Sequence, residues 1–399
     1  MRALLLTYDY PPTVGGIANI LATFFRLGDS GGSVIVAPQS PGAREFDHDH
    51  PVPTVRFPSP SGPGLANKGL SFVWAALWTL IQLLQHRPQV VIAGQLARAG
   101  PILYAWSVLT RTPLYVWVYG GETKADFTGL SIFTRMLHGI LRRARVVFTN
   151  SPYTSQEMLD FGLAAERVVE LPRGVDRSVL FPTPKDATLV EELGLADKLV
   201  FMTLGRLVER KGVDTMLRAL AELDDELPPW RYVVVSDGPY RATLEEMIHE
   251  LGLREKVIFT GYIERDELPV YYNLCDVFAM PNRAVISAGG NTYSVEGFGT
   301  VFIEAAACGK PVIAGRSGGA VYAVDDETNG YVVDPDGVED LKRVLRLLTQ
   351  PQRREQMGRA GLEFVQRFSW ERSAAILSSF LENCPPNIRI TTRGEAQRS

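Results

Sequence analysis

Cysteine is scarce in this chain of 399 residues: there are three, Cys275, Cys308 and Cys384, odd in number and without paired spacing. That argues against a disulfide framework and against a zinc site, and it fits a reducing, cytoplasmic setting. Histidine is nearly as scarce, with five in all. His48 and His50 fall in a polar loop and His86, His138 and His249 on helices, so general-base catalysis by histidine is not expected. Asp47-His-Asp-His50 reads as exposed loop rather than metal ligands. A net charge of −4 gives no global attraction to nucleic acid or anionic lipid. No apolar run reaches the roughly 20 residues that a bilayer-spanning helix needs. The opening Met1–Tyr8 is too short in apolar residues for a signal peptide, since Asp9 ends it, and reads as a first strand.

What is present is a packed, two-domain α/β composition, 46% hydrophobic and 22% charged, over a length suited to two domains of roughly 150–200 residues. Short apolar runs of the kind that strands buried on both faces show occur at Leu4–Tyr8, Val34–Ala37, Val90–Ala93, Leu114–Val118 and Val146–Thr149. They recur at Leu199–Leu204, Tyr232–Val235, Val257–Phe259 and Asp276–Met280, with helical periodicity between. This predicts two facing Rossmann-like domains with parallel sheets, 1–176 and 177–369, joined by the proline-punctuated Phe181-Pro-Thr-Pro184. A last helix at about 370–384 returns to the first domain, and 385–399 is expected to be disordered. Leu70–Leu84, the most hydrophobic segment, reads first as a helix buried between sheet and neighbour and second as a face resting on a membrane. Arg135–Arg145 combines arginines with Met136, Leu137, Ile140 and Leu141; it reads first as a solvated helix face and second as a helix on anionic lipid.

The stretch from Ser294 to Gly315 organises the rest. Gly297 and Gly299 let the backbone approach a bound group, Thr300 can cap the following helix, and the first-turn N–H groups point into the loop, as a phosphate cradle requires. Glu296 and Glu304 bracket it, better suited to hydroxyls than to phosphate. In Gly205-Arg-Leu-Val-Glu-Arg-Lys-Gly212, the cations Arg206, Arg210 and Lys211 gather near the positive pole of a helix, which is unfavourable unless an anion joins them. A ligand with a diphosphate between two polyhydroxyl rings, a nucleotide sugar, would satisfy all these groups. Tyr119-Gly-Gly-Glu-Thr-Lys124 follows a strand at the same crevice, and Glu122 there is a candidate for an acceptor or donor hydroxyl.

Pro12-Thr-Val-Gly-Gly16, Gly205-Arg-Leu with Lys211-Gly212, Asp237-Gly-Pro-Tyr240, Gly261-Tyr-Ile263, the E-x7-E run from Glu296 to Glu304, Arg316-Ser-Gly-Gly-Ala320 and Phe368-Ser-Trp370 together resemble the family 4 retaining glycosyltransferases. The part from Met280 to Gly299 is most similar to bacterial phosphatidylinositol mannosyltransferases. The resemblance implies the GT-B fold, a nucleotide-diphosphate donor of the GDP- or UDP-hexose class, a hydroxyl acceptor, no cofactor and no metal. By it Arg206 and Lys211 bind the donor diphosphate, assisted by the backbone of Phe298 to Val301. Glu296 holds the transferred sugar, Glu304 the ribose and Ile263 the base, while Gly15 and Gly16 approach the phosphates. Two positions depart from the family pattern. Tyr119 stands where a histidine is usual, a poor proton carrier at neutral pH that could still contact the sugar. Arg173 stands where asparagine is usual.

The expectation is a cytoplasmic glycosyltransferase, with the inner face of the membrane as a second reading, acting on a lipid-linked acceptor or a cell-surface glycan precursor, the former favoured by the Leu70–Leu84 and Arg135–Arg145 segments. The rival readings are a non-catalytic nucleotide-sugar-binding subunit and a nucleotide-sugar epimerase of the same fold. A dinucleotide oxidoreductase ranks below both, because the first glycine loop lacks the G-x-G-x-x-G spacing.

Overall fold

The computed structural model describes residues 3–13, 15–29, 31–60, 64–123, 132–286 and 293–383. Cys384, Lys124 and the tail 385–399 lie outside them. Its strands are, in order, β1 (Ala3–Leu6), β2 (Val34–Pro38), β3 (Thr54–Phe57), β4 (Val90–Ala93), β5 (Leu114–Trp117), β6 (Val146–Thr149), β7 (Val168–Glu170), β8 (Leu199–Leu204), β9 (Trp230–Val235), β10 (Val257–Gly261), β11 (Val277–Met280), β12 (Val285–Ile286), β13 (Tyr293–Ser294), β14 (Val312–Gly315) and β15 (Gly330–Val333). Seven form one sheet in the order β3-β2-β1-β4-β5-β6-β7, and six form a second in the order β10-β9-β8-β11-β14-β15. Every pairing in both sheets is parallel. Parallel sheets need helices on both faces, which is why β1, β4, β5 and β6 are buried at every position. β3 and β15 carry no sequence signal as clear: Arg56 interrupts the first, and the second is a four-residue edge strand.

Strand order reverses between β1 and β4 in one sheet and between β8 and β11 in the other. In doubly wound sheets the crevice at such a point, off the carboxyl ends of the strands, takes the ligand. The loops after β1, β5, β6 and β7 therefore meet those after β8, β13 and β14.

The chain closes on itself through the helix Trp370–Glu382. Ser369 caps it by accepting from Arg372 N–H, Trp370 stands edge-on to Phe24 at 5.4 Å, and Ala374, Leu377 and Leu381 join the core of the first domain with Ile20, Phe24 and Trp117. A side chain at Gly174 would collide with the Trp370 backbone.

The helix Leu65–His86 has 22 residues, longer than the apolar run because polar residues extend it at both ends. It is not sandwiched between layers. Ala75, Thr79 and Leu83 face inward, while Val73, Leu77, Leu80, Ile81 and Leu84 form an outward stripe, Leu84 being 60% exposed. The helix Ile132–Arg143 exposes Arg135, Arg142 and Arg143. Among the described residues no helix is long and apolar enough to cross a membrane. The Asp47–His50 segment is mostly helix, Ala43–Asp49, rather than loop. Asp47 pairs with Arg56 at 2.6 Å and the His50 ring approaches Ala22 O at 3.1 Å, so these groups serve local packing.

Leu377 is fully buried in the contact between closing helix and first domain, and Leu377→Ala is expected to cost about 2–5 kcal/mol. Urea denaturation checks this; a loss below about 1 kcal/mol would mean that the closing helix adds little to the first domain.

Candidate active site

The glutamate loop Val295–Gly299 is gripped from both domains. Ser151, which caps the helix Pro152–Asp160 by accepting from Thr154 N–H, also donates its hydroxyl to Gly297 O at 2.7 Å. A Cβ at Gly297 would run into the Tyr119 carbonyl, and one at Gly120 would come within 3.3 Å of Gly297 Cα. From the other side Gly319 N–H donates to Glu296 O at 2.7 Å, and Gly318 and Gly319 are stripped of side chains where they pass the Glu296–Gly297 backbone. The helix Thr300–Ala307 then begins. Gly299, at φ 87°, occupies the cap position, and Thr300 is the first helical residue rather than the cap. The Thr300 hydroxyl is free of capping and accepts from Arg173 Nη1 at 2.7 Å. In the helix's first turn Phe302 N–H donates to Gly299 O at 3.0 Å, while the N–H groups of Thr300 and Val301 have no intrahelical acceptor by geometry.

Charge concentrates at this helix start. Glu296 Oε2 accepts from Arg210 Nη1 and Lys211 Nζ, each at 2.6 Å, with side chains only 12% exposed for Glu296 and 9% for Lys211. Burial would raise the Glu296 pKa, but Lys211 and Arg210 outweigh it and hold the carboxyl down to about 2. Burial pulls the Lys211 pKa down while Glu296 holds the proton on. Lys211 runs beside Gly205, which is at φ 144°; the lysine Nζ lies 3.6 Å from where a Cβ on that glycine would stand. Arg206 is exposed, and the second partner of Glu296 is Arg210, on the short 3-10 turn Glu209–Lys211. Glu304 lies a turn into the helix, accepts from the Tyr272 hydroxyl at 2.7 Å, and has a pKa raised by burial. Even with Glu304 counted as ionised, the cations Arg173, Arg210 and Lys211 outnumber the carboxylates.

Phe298 is buried with its ring 5.5 Å from Phe368, so its backbone, not its side chain, faces the loop. Ile263 packs against the second-domain core at the end of β10. Gly15 is extended, and Gly16 lies beside the Arg173 guanidinium, 3.6 Å from a notional Cβ.

Two further sequence assignments change. The Glu122 carboxylate accepts from Tyr119 N–H at 2.6 Å and Gly120 N–H at 2.7 Å, so it ties its own turn instead of facing a hydroxyl ligand. The Tyr119 hydroxyl donates to Gly94 O at 3.0 Å and its ring packs into the first-domain core, which leaves only its backbone at the crevice. Glu157, buried beside them, holds Gly121 N–H and Thr123 N–H. Residues that sequence spacing could not find are Arg210 as a Glu296 partner, Tyr272, and Ser151 as a contact to the other domain. Ser151 and Gly297 stand 146 positions apart, and no local pattern relates them.

Burial, with Glu157 nearby, raises Glu122 to about 7 despite its two backbone donors. A raised carboxyl pKa means the folded state holds the proton more tightly, so this contribution to stability is present below the unfolded pKa and is lost as pH rises through about 7. Glu122→Gln should flatten that part of the profile. Melting temperatures from about pH 5 to about pH 8 check it, and parallel profiles for the two proteins would refute it.

Residues 186–364 match the glycosyl transferases group 1 family and residues 18–174 the glycosyl transferase 4-like domain. The chain is 34% identical to the GDP-mannose-dependent alpha-(1-6)-phosphatidylinositol monomannoside mannosyltransferase of Mycolicibacterium smegmatis, over 95% of this chain and 97% of that protein. It is 29% identical to the GDP-mannose-dependent monoacylated alpha-(1-6)-phosphatidylinositol monomannoside mannosyltransferase of Corynebacterium glutamicum, over 96% and 98%. Among solved structures, Anabaena HepE in complex with UDP and glucose superposes with a TM-score of 0.78 at 22% identity, covering 96% of this chain and 100% of that one. With two parallel-sheet domains closing on a cationic loop and these relatives along nearly its whole length, the chain belongs to the family 4 glycosyltransferases of GT-B fold, which transfer a sugar from a nucleotide sugar.

Proposed function

We propose that this enzyme transfers mannose from GDP-mannose to a hydroxyl of a phosphatidylinositol-type lipid, retaining the anomeric configuration and using no metal ion. The observation that carries the reading is the buried excess of positive charge at the start of the Thr300 helix. Fixed cations and helix N–H groups are the means by which a departing diphosphate can be stabilised without reorganisation during the reaction. The mannosyl donor and lipid acceptor are those in the names of the two mannosyltransferases above, and the outward apolar stripe on Leu65–His86, together with the exposed Arg135, Arg142 and Arg143 elsewhere in the same domain, supports a lipid acceptor at a membrane surface.

In this reading the diphosphate takes over Arg210 and Lys211 from Glu296, and the released carboxylate accepts from sugar hydroxyls. Glu304 accepts from a ribose hydroxyl, and the backbone at Ile263 meets the base. The bond from the anomeric carbon to the phosphate oxygen breaks, the acceptor oxygen bonds to the same face of that carbon, and the acceptor proton passes to the departing phosphate. No histidine is required. Tyr119, with its hydroxyl committed to Gly94 O and burial driving its pKa well above 10, does not carry that proton.

Lys211→Ala is expected to lower kcat by about 100-fold or more, and Glu296→Ala to lower kcat/KM for the donor. Both are read from GDP release with GDP-mannose and phosphatidylinositol mannoside, with EDTA leaving the wild type unchanged and NMR showing an α-linked product. Unaltered kinetics in both variants would sink the site, and a donor cleaved by no acceptor of this class would sink the substrate assignment. Vesicle flotation tests the surface: the pair Leu77→Glu and Ile81→Glu should weaken association with anionic vesicles, and a wild type that does not float with them would overturn the membrane part.

A further inference from the structure

Arg173 is the cation that the diphosphate assignment leaves out. It follows β7 on the segment that joins the two domains, and its guanidinium crosses to the second domain to donate to the Thr300 hydroxyl at 2.7 Å. Its Nε is buried and has no hydrogen-bond partner among the described residues. A guanidinium offers five donors in a fixed fork, and leaving one unpaired out of water is costly. Around it stand Glu296 and Glu304, which attract it, and Arg210, which repels it. Gly16 of the first-domain glycine loop lies against Nη1. The stem is held as well: Gly174 is pressed on the Trp370 backbone, and Val175 N–H donates to Phe368 O at 3.2 Å. The side chain is therefore aimed and braced between the two glycine loops, with an unused donor and an unbalanced charge.

We infer that Arg173 is a third phosphate-binding cation, which contacts the distal phosphate of the donor and of the nucleoside diphosphate product, and rests on Thr300 when no donor is bound. The inference depends on the nucleotide-sugar reading above and adds to it a residue from the first domain, so that the diphosphate is gripped from both sides of the crevice. Lys211 and Arg210 reach it from β8's loop, Arg173 from the opposite domain.

The rival account is a strut that ties the domains through Thr300 without touching ligand. The two differ in how they treat nucleotides of different phosphate number. Binding of GDP and GMP, and of UDP and UMP, is measured by calorimetry on wild type, Arg173→Asn and Arg173→Lys. A distal-phosphate contact predicts that the preference for the diphosphate over the monophosphate of the same base falls by about 10- to 100-fold in Arg173→Asn. Monophosphate affinity should hold, and Arg173→Lys should give a smaller loss. A preference unchanged within about threefold in either folded variant, or both nucleotides weakened in parallel, would overturn the inference and leave a strut. A wild type that binds neither diphosphate would instead sink the nucleotide-sugar reading itself. Should Arg173→Asn fail to fold, Arg173→Lys decides the question by the same ratio.

Discussion

A carboxylate taken out of water survives as an anion only when cations and donors replace its hydration, and Glu296 has both Arg210 and Lys211 on a single oxygen. Much of the crevice follows from that requirement. Lys211 lies across Gly205, whose φ of 144° suits glycine. Gly212 is left-handed, and a side chain there would strike the Pro281 carbonyl, so the 3-10 turn carrying both cations is pinned between β8 and the loop after β11. Gly318 and Gly319 pass bare against the backbone that carries the carboxylate. The charges do not balance, because Arg173 adds a third cation from the other domain. A surplus of buried positive charge is unfavourable in the free protein and becomes favourable when an anion enters, which is how a site can be built for a ligand rather than for stability.

The same crevice joins two bodies. Ser151 has two tasks, capping its helix and donating to Gly297 O, so the first domain's β6 loop is locked in position by the helix it starts. The turn Tyr119–Thr123 is held from beneath by Glu122 and Glu157, and this rigid turn presents the Tyr119 carbonyl to Gly297. Here carboxylates that look available in the sequence are consumed in shaping a loop. The closing helix adds the remaining constraint: Trp370 lies on Gly174, beside Arg173, and so couples the end of the chain to the crevice.

The surface of the first domain divides by helix face. Leu65–His86 buries Ala75, Thr79 and Leu83 and turns Val73, Leu77, Leu80, Ile81 and Leu84 outward. That outward stripe is the feature on which the proposed lipid-surface reading draws.

The chain's own residues determined the two parallel-sheet domains, because strands buried on both faces must be continuous apolar runs, and β8 is bounded in the sequence where it is bounded in space. They also determined the glycine loops, and they marked the cationic loop and the Glu296–Glu304 run as parts of one site. Two edge strands, β3 and β15, escaped: β3 carries Arg56 to serve Asp47, and β15 opens on Gly330. Tertiary structure decided which groups the charged side chains meet. Arg206 and Arg210 are indistinguishable as letters, and only the 3-10 turn puts the second on Glu296 and leaves the first in solvent. Glu122 and Glu296 are both carboxylates beside glycines, yet one closes its own turn and the other meets cations. Arg173 could have been a surface charge until the segment after β7 was seen to cross to Thr300. Local patterning fixes which element forms, because backbone geometry and burial act over a few residues. Which side chain meets which across a crevice depends on contacts between residues more than a hundred positions apart, such as Arg173 with Thr300, and these exist only once the domains have closed.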